Sequence, residues 1–262
     1  MTDLLTYLKE RPYPGRGILL GATPGGKAVC AYFIMGRSEN SRNRVFEKTD
    51  DGIRTRAWDE SKMTDPSLII YHPVRRMADG TLIVTNGDQT DTVRDFLAQD
   101  KGWLEALCSR TFEPDEPNWT PRVSGLIKPC GSHLLSILKA QGGNPDCCER
   151  FFYTYDAATP GVGHFISTYK HNGNPIPSFE GEPLRFACPR TIGDFAHGLW
   201  ENLNPDNKVS LFARVIDLDS GETGDMIFNK YDAVNSDLDD PEEPELLPEE
   251  LELLAKLDAE AE

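Results

Sequence analysis

Gly15–Gly36 reads GRGILLGATPGGKAVCAYFIMG. Two apolar runs, ILLG and AVCAYFIMG, flank the turn residues Thr23-Pro24-Gly25-Gly26. Both runs are too short for core helices and are bounded by Gly or Pro. The pattern predicts two strands joined in a hairpin. Neither run alternates apolar with polar residues. That predicts a sheet covered on both faces, inside a layered protein.

Outward from this hairpin, residues 3–11 predict a short helix that Pro12 and Pro14 terminate. Further strands are expected at 53–58, 66–74 and 81–86, the last after the Asp79-Gly80 turn. Asp91 or Thr92 is placed to cap a helix over 93–108. Its apolar face holds Val93, Phe96, Leu97, Leu104 and Leu107, and Gly102 is its weak point. Ser132–Gln141 reads as a second helix, on Leu134, Leu135, Ile137 and Leu138. Strands are expected at 149–155 and 163–169, an irregular loop at 172–183, and a helix over 192–203 capped by Thr191. Strands at 209–218 and 224–231 close the pattern. This order lacks the regular strand–helix alternation of a doubly wound sheet. It predicts an α+β fold in which two packed, mostly antiparallel sheets lie inside and helices outside. No internal repeat or linker divides residues 1–235, which are expected to form a single domain. Residues 236–262 are different: they hold 12 acidic residues, one Lys and several Pro. They read as a disordered acidic tail. A short helix over 247–260 is read within it, from Leu247, Leu251, Leu254 and Leu257 on one side.

Charge and composition exclude several functions. The 262 residues carry 43 Asp or Glu against 27 Lys or Arg, a formal charge of -16. That balance argues against a nucleic-acid partner. The tail supplies -11, leaving only -5 for the preceding residues, so a local cationic pocket is compatible with the body. No apolar stretch approaches the 18 residues of a transmembrane helix, and the first residues lack the basic head and apolar core of a signal peptide. Six cysteines without a CxxC pair suit a reducing, cytoplasmic setting.

Chemistry is expected where apolar periodicity fails. GRSENSRNRVF, Gly36–Phe46, follows an apolar strand with three Arg, two Asn and two Ser. Arg37, Arg42 and Arg44 offer fork-shaped donors suited to phosphate or carboxylate. Ser38, Ser41, Asn40 and Asn43 add neutral donors. TNGDQTDT, Thr85–Thr92, is either a turn with a helix cap or the polar lining of a pocket, with Asn86 and Asp88 as ligand contacts. WTPRVSG, 119–125, presents Arg122 after a restraining proline. TPGVGHFISTY, 159–169, holds His164 after two glycines, and FEGEP, 179–183, holds Glu180 and Glu182. Arg42 and Arg122 are the electrophilic candidates. Glu180, Glu182 and His164 are the acid–base candidates. Tyr32 and Asn86 are further candidate ligand contacts. The five His show no metal-binding spacing, no Walker or GxSxG motif is present, and an N-terminal nucleophile would have to be Thr2.

Taken together, GRGILLG (15–21), YFIMGRSENSRNRVF (32–46), TNGDQTDT (85–92), WTPRVSG (119–125), GVGHFISTY (161–169) and PIPSFEGEP (175–183) resemble the archaeal-type IMP cyclohydrolase family and its bacterial relatives. The resemblance spans most of 15–231. It implies a four-layer αββα sandwich like that of the N-terminal-nucleophile hydrolases, without their N-terminal nucleophile. It also implies dehydrative ring closure of 5-formamidoimidazole-4-carboxamide ribotide to IMP, with no metal or organic cofactor, in a cytosolic homo-oligomer. Two other readings stay open: an amide hydrolase acting on a related ribotide, and a non-enzymatic protein that binds a phosphorylated nucleotide.

Overall fold

The computed structural model of the chain describes residues 1–231, 235 and 236. It begins with a short helix, α1 (Leu4–Lys9), capped by Asp3, whose carboxylate accepts the Thr6 N–H. The hairpin follows as its residues demand. β1 (Arg16–Ala22) and β2 (Ala28–Met35) pair antiparallel around a turn closed by Gly26 N–H to Thr23 O. Every residue of both strands is buried. Next come α2 (Glu39–Arg42), β3 (Arg44–Thr49), β4 (Gly52–Ala57), β5 (Val74–Arg76) and β6 (Leu82–Thr85). The middle of the chain supplies α3 (Gln89–Leu97), α4 (Trp103–Cys108), β7 (Arg122–Ile127), β8 (His133–Gln141) and β9 (Asn144–Tyr155). The last described part holds β10 (Val162–Ser167), β11 (Leu184–Ala187), α5 (Ile192–Asn202), β12 (Lys208–Ile216), β13 (Thr223–Asn229) and β14 (Asn235–Ser236).

The fold is mixed α+β, with two seven-stranded sheets in which every strand pair is antiparallel. One runs β11-β10-β1-β2-β12-β13-β14 and the other β3-β4-β5-β6-β7-β8-β9. Side chains alternate between faces along each strand. Ile18 and Leu20 of β1 therefore join Val84, Val123 and Leu135 in a core between the sheets. Leu19 points the other way, into a core with Leu4, Leu8, Phe195 and Leu199 of α1 and α5. On the second sheet, Ile83, Leu126 and Leu138 pack against Val93, Trp103 and Leu107 of α3 and α4. Each fully buried side chain of this size contributes about 1.5–3 kcal/mol. A polar tie also joins the sheets. Asn229 of β13 accepts the Phe46 N–H through its side-chain oxygen (2.8 Å) and donates back to Phe46 O (3.0 Å).

Three expected elements differ. Residues 133–141 form β8, not a helix. Leu135 and Ile137 enter the inter-sheet core while Leu134 and Leu138 pack toward α3 and α4. Both faces are apolar because both are covered, and a short run of that kind carries no usable period. The helix expected over 93–108 is two helices. The chain breaks where Asp100 takes a left-handed φ of 56° and Gly102 caps α4. Residues 66–73 are not strand. Ile69 and Ile70 N–H close turns on Pro66 O, and Tyr71 N–H bonds Thr55 Oγ1, so the ladder begins only at Val74. The strands β3, β7 and β11 carried no separate sequence expectation. The hairpin, the helix capped by Thr191, and β12 and β13 fall where expected, within two residues at each end. The acidic tail lies outside the described residues, apart from Ser236, which pairs with Met226. Among the described residues no helix is long and apolar enough to cross a membrane.

Candidate active site

Strand parity carries three polar side chains into the inter-sheet space at one end of the molecule. Arg16 is in phase with Ile18 and Leu20, Tyr32 with Cys30 and Ile34, and Arg44 with Phe46. Arg16 is 8 % exposed, Arg44 1 % and Tyr32 0 %, so both guanidinium charges are held out of water. Tyr71 joins them, its hydroxyl 2.8 Å from that of Tyr32. Tyr169, just beyond β10, stacks on Tyr13 with centroids 5.8 Å apart and shares a hydroxyl hydrogen bond with Thr120.

The two arginines are paired unequally. Arg16 Nη2 donates to both oxygens of the buried Glu113 carboxylate, at 3.1 and 3.0 Å. Burial raises the Glu113 pKa against the opposing charges of Arg16 and Arg122. Arg44 donates from Nε to Ser41 O at 2.8 Å. Burial lowers its pKa, and the positive charge of Arg16 adds to that effect. Arg44 Nη1 and Arg16 Nε are both buried and have no hydrogen-bond partner among the described residues. A buried guanidinium with unfilled donors costs several kcal/mol unless an acceptor arrives. Burial also pushes the Tyr32 hydroxyl well above the usual phenol range, so it remains a neutral donor.

Behind this centre the TNGDQTDT segment forms a hydrogen-bonded chain. Asn86 Nδ2 donates to Glu113 Oε1 (3.3 Å) and Pro121 O (2.9 Å). Its oxygen accepts Val123 N–H (2.8 Å) and Gln89 Nε2 (3.0 Å). Gln89 Oε1 accepts from Arg122 Nη1 at 2.6 Å, and that guanidinium also pairs with Asp88 at 2.8 Å. Asp88 takes two bonds from Arg110. Burial would raise the Asp88 pKa, but these two arginines outweigh it and hold the carboxyl below its usual range.

The sequence candidates separate into groups. Arg44 and Tyr32 line the centre, and Arg122, Asn86 and Asp88 belong to the chain behind it. Arg37 is exposed and donates to Asn172 Oδ1 and Gly173 O. Arg42 donates to Gly36 O and Asn207 Oδ1. The three arginines of one segment thus have three different sets of partners. Ser38 caps α2 by accepting Ser41 N–H, and the Asn43 amide is taken up by the backbone of Asp59. Glu180 is an exposed ion pair with Lys170, and Glu182 is exposed. His164 lies at the opposite end of the inter-sheet space, 3.0 Å from a ring nitrogen of His133. A groove of about 430 Å³ also lies elsewhere, but Asp50, Asp51 and Asp79 line it, which disfavours an anion. Among the described residues, no group of three or more His, Cys, Asp or Glu side chains is placed to hold a metal ion.

Sequence reasoning missed Arg16, Tyr71, Glu113 and Tyr169. Arg16 left a signal: it is a cation two residues before Ile18, in the inward phase of an otherwise uncharged strand. Glu113, Tyr71 and Tyr169 lie outside the regular elements and leave no periodic signature.

Fold and site together define a mixed α+β protein with a buried, cationic, tyrosine-lined centre. The chain belongs to the IMP cyclohydrolase family: a family model described as IMP cyclohydrolase-like protein matches residues 13–221. It is similar to the IMP cyclohydrolase of Methanopyrus kandleri, 34 % identical over 190 residues, which cover 64 % of this chain and 89 % of that protein. It is 29 % identical over 119 residues to the IMP cyclohydrolase of Methanococcus aeolicus, covering 44 % of this chain and 58 % of that one. The Methanocaldococcus jannaschii enzyme of the same name is 30 % identical over 118 residues, 44 % of this chain and 56 % of its own length. For these last two the matched stretch spans little more than half of the relative.

Proposed function

We propose that the protein closes 5-formamidoimidazole-4-carboxamide ribotide to IMP with loss of water, on an αββα scaffold like that of the N-terminal-nucleophile hydrolases. The observation that carries this reading is the pair of unfilled guanidinium donors, Arg16 Nε and Arg44 Nη1, in a buried wall of tyrosines. Such donors suit an anionic oxygen, either on the substrate phosphate or on the oxygen that becomes negative during ring closure.

In this reading the carboxamide nitrogen attacks the formyl carbon, and the N–C bond forms as the formyl C=O electrons move onto oxygen. Arg44 and the Tyr32–Tyr71 hydroxyl pair stabilise that oxygen. Glu113 takes the proton lost by the attacking nitrogen and passes it to the oxyanion, giving a hydroxyl. The proton of the former formamide nitrogen then follows the same route to that hydroxyl, which leaves as water as the C–O bond breaks and the ring C=N bond forms. Burial between the sheets holds the two reacting groups together and lowers the entropic barrier. Arg37 and Arg42 belong to the rim, and Glu180, Glu182 and His164 lie outside the reacting group. This route calls on no metal or organic cofactor.

The charge balance favours a small anionic substrate over nucleic acid, and the same reading expects a cytosolic homo-oligomer, measurable by light scattering. The test of function is incubation with the formamido ribotide while IMP is followed by chromatography. IMP formation supports the reading. Binding without conversion favours a nucleotide-binding protein, and loss of the formyl group to water favours an amide hydrolase. Either result sinks the cyclohydrolase.

A further inference from the structure

We propose that Asn86 and Gln89 are positioning residues: a one-way hydrogen-bond chain starting at Arg122 delivers an N–H donor to Glu113 and keeps its carboxylate in the base form. The proposal rests on the reading of Glu113 as the acid–base group.

The direction of the chain is forced by its ends. Arg122 has only donors, so the Gln89 atom facing it at 2.6 Å is the oxygen. The Gln89 amide nitrogen must then face Asn86 Oδ1 and Val123 O. The Val123 backbone N–H, also only a donor, fixes the same Asn86 oxygen from the other side. The Asn86 amide nitrogen is left to face Pro121 O and Glu113 Oε1. Asn86 and Gln89 are both fully buried, so water cannot supply an alternative arrangement. Asn86 makes all four hydrogen bonds available to an amide and has none left for a substrate carboxamide. Its role runs through Glu113.

Gly87 shows how tightly this chain is closed. A Cβ there would lie 2.5 Å from Arg122 Nη1 and 2.7 Å from Gln89 Oε1. Only glycine leaves room for the two side chains to meet. The charged groups facing Glu113 are Arg16 from β1, Arg122 from β7 and Asp115 from its own loop. The two arginines favour the carboxylate, while Asp115 and burial oppose it. A neutral donor from Asn86 adds to the favourable side at the atom where the proton would bind.

Asn86→Asp keeps the shape and the oxygen that accepts from Val123 and Gln89, and replaces the donor to Glu113 with an oxygen. Gln89→Met keeps the length of the side chain and cuts the link to Arg122. Folding of each is checked by thermal melting. Glu113 is titrated by carboxyl-carbon NMR, and the pH profile of kcat/KM is measured with the formamido ribotide. The expected result is an upward move of the acid limb and of the Glu113 titration together. For Asn86→Asp this corresponds to about a tenfold loss of kcat/KM below the limb, with the plateau changed less than about threefold. Gln89→Met moves both in the same direction by less. If Glu113 titrates as in the wild type in both folded variants, the positioning role is overturned. If Asn86→Asp fails to fold, Gln89→Met alone decides. If the wild type makes no IMP, the proposed reaction falls, and the NMR titration still judges the chain.

Discussion

The inter-sheet space is polar at both ends, but the two ends differ in how their polar groups are used. Where β1 begins, Arg16 and Arg44 keep unfilled donors beside Tyr32 and Tyr71. Four residues further along β1, roughly 13 Å at strand rise, Leu20 is paired with His164. There His164 and His133 bond each other at 3.0 Å, and Tyr155 stacks on both rings, at 3.8 and 4.5 Å. Burial pushes both imidazoles down to about 4, helped at His133 by the facing His164 and at His164 by Arg185. This second end is neutral and self-contained. It ties β10 of one sheet to β8 of the other. A cluster of histidine and tyrosine looks more like a catalytic site on paper than a pair of buried arginines does, yet unfilled hydrogen-bonding capacity marks the other end.

The sharpest way to break this comparison is Arg44→Met. If Arg44 serves the substrate, kcat/KM falls by about 10²–10³-fold. Stability moves the other way, since an uncompensated buried charge is removed, and Tm rises by about 2–4 °C per kcal/mol gained. Unchanged turnover in this variant would erase the distinction between the ends. The histidine end predicts a pH effect of comparable size. The folded pKa values of about 4 lie below the ordinary 6.5, so the unfolded chain binds more protons between these values. The stabilisation is complete above about pH 6.5 and is lost as pH falls toward 4. Treating the pair as one unit and discounting the partly exposed His164, the loss is about 1–3 kcal/mol. Denaturant titrations across that range should show it, and His133→Phe should flatten the curve while leaving turnover within about threefold.

Smaller effects should follow at the rim. Arg37→Ala releases Asn172 and Gly173 and is expected to raise KM less than about tenfold with kcat nearly constant, which steady-state kinetics will show. Glu180→Gln removes only an exposed ion pair and should leave both constants within about twofold. A large kcat loss from Glu180→Gln would return the acid–base role to the surface loop and displace Glu113.

The layers were legible in the sequence because β1 and β2 are apolar on both faces, which only a covered sheet allows. β8 was not, because Leu134, Leu135, Ile137 and Leu138 satisfy two covered faces and suit a helix equally well. At the site, Arg44 and Asn86 stood out as polar residues beside apolar strands. Arg16 was hidden by its apolar neighbours, although its phase with Ile18 and Leu20 was there to be read. Glu113 reaches the centre through a loop and meets Arg16 across 97 positions of chain. No local pattern encodes a meeting of that kind.

β3 is an outermost strand, and its middle residue Phe46 turns its N–H and C=O away from β4. An edge of this kind is a template on which strands of other molecules can assemble. The Asn229 side chain fills both of those groups, as one residue of a neighbouring strand would. Here the neighbour is the chain's own β13, so the rung is closed within the molecule. One side-chain amide thus satisfies two backbone groups that the packing of β13 against β3 holds away from water. Replacing it with leucine would keep the volume and leave both groups buried without partners, with a lower Tm as the sign.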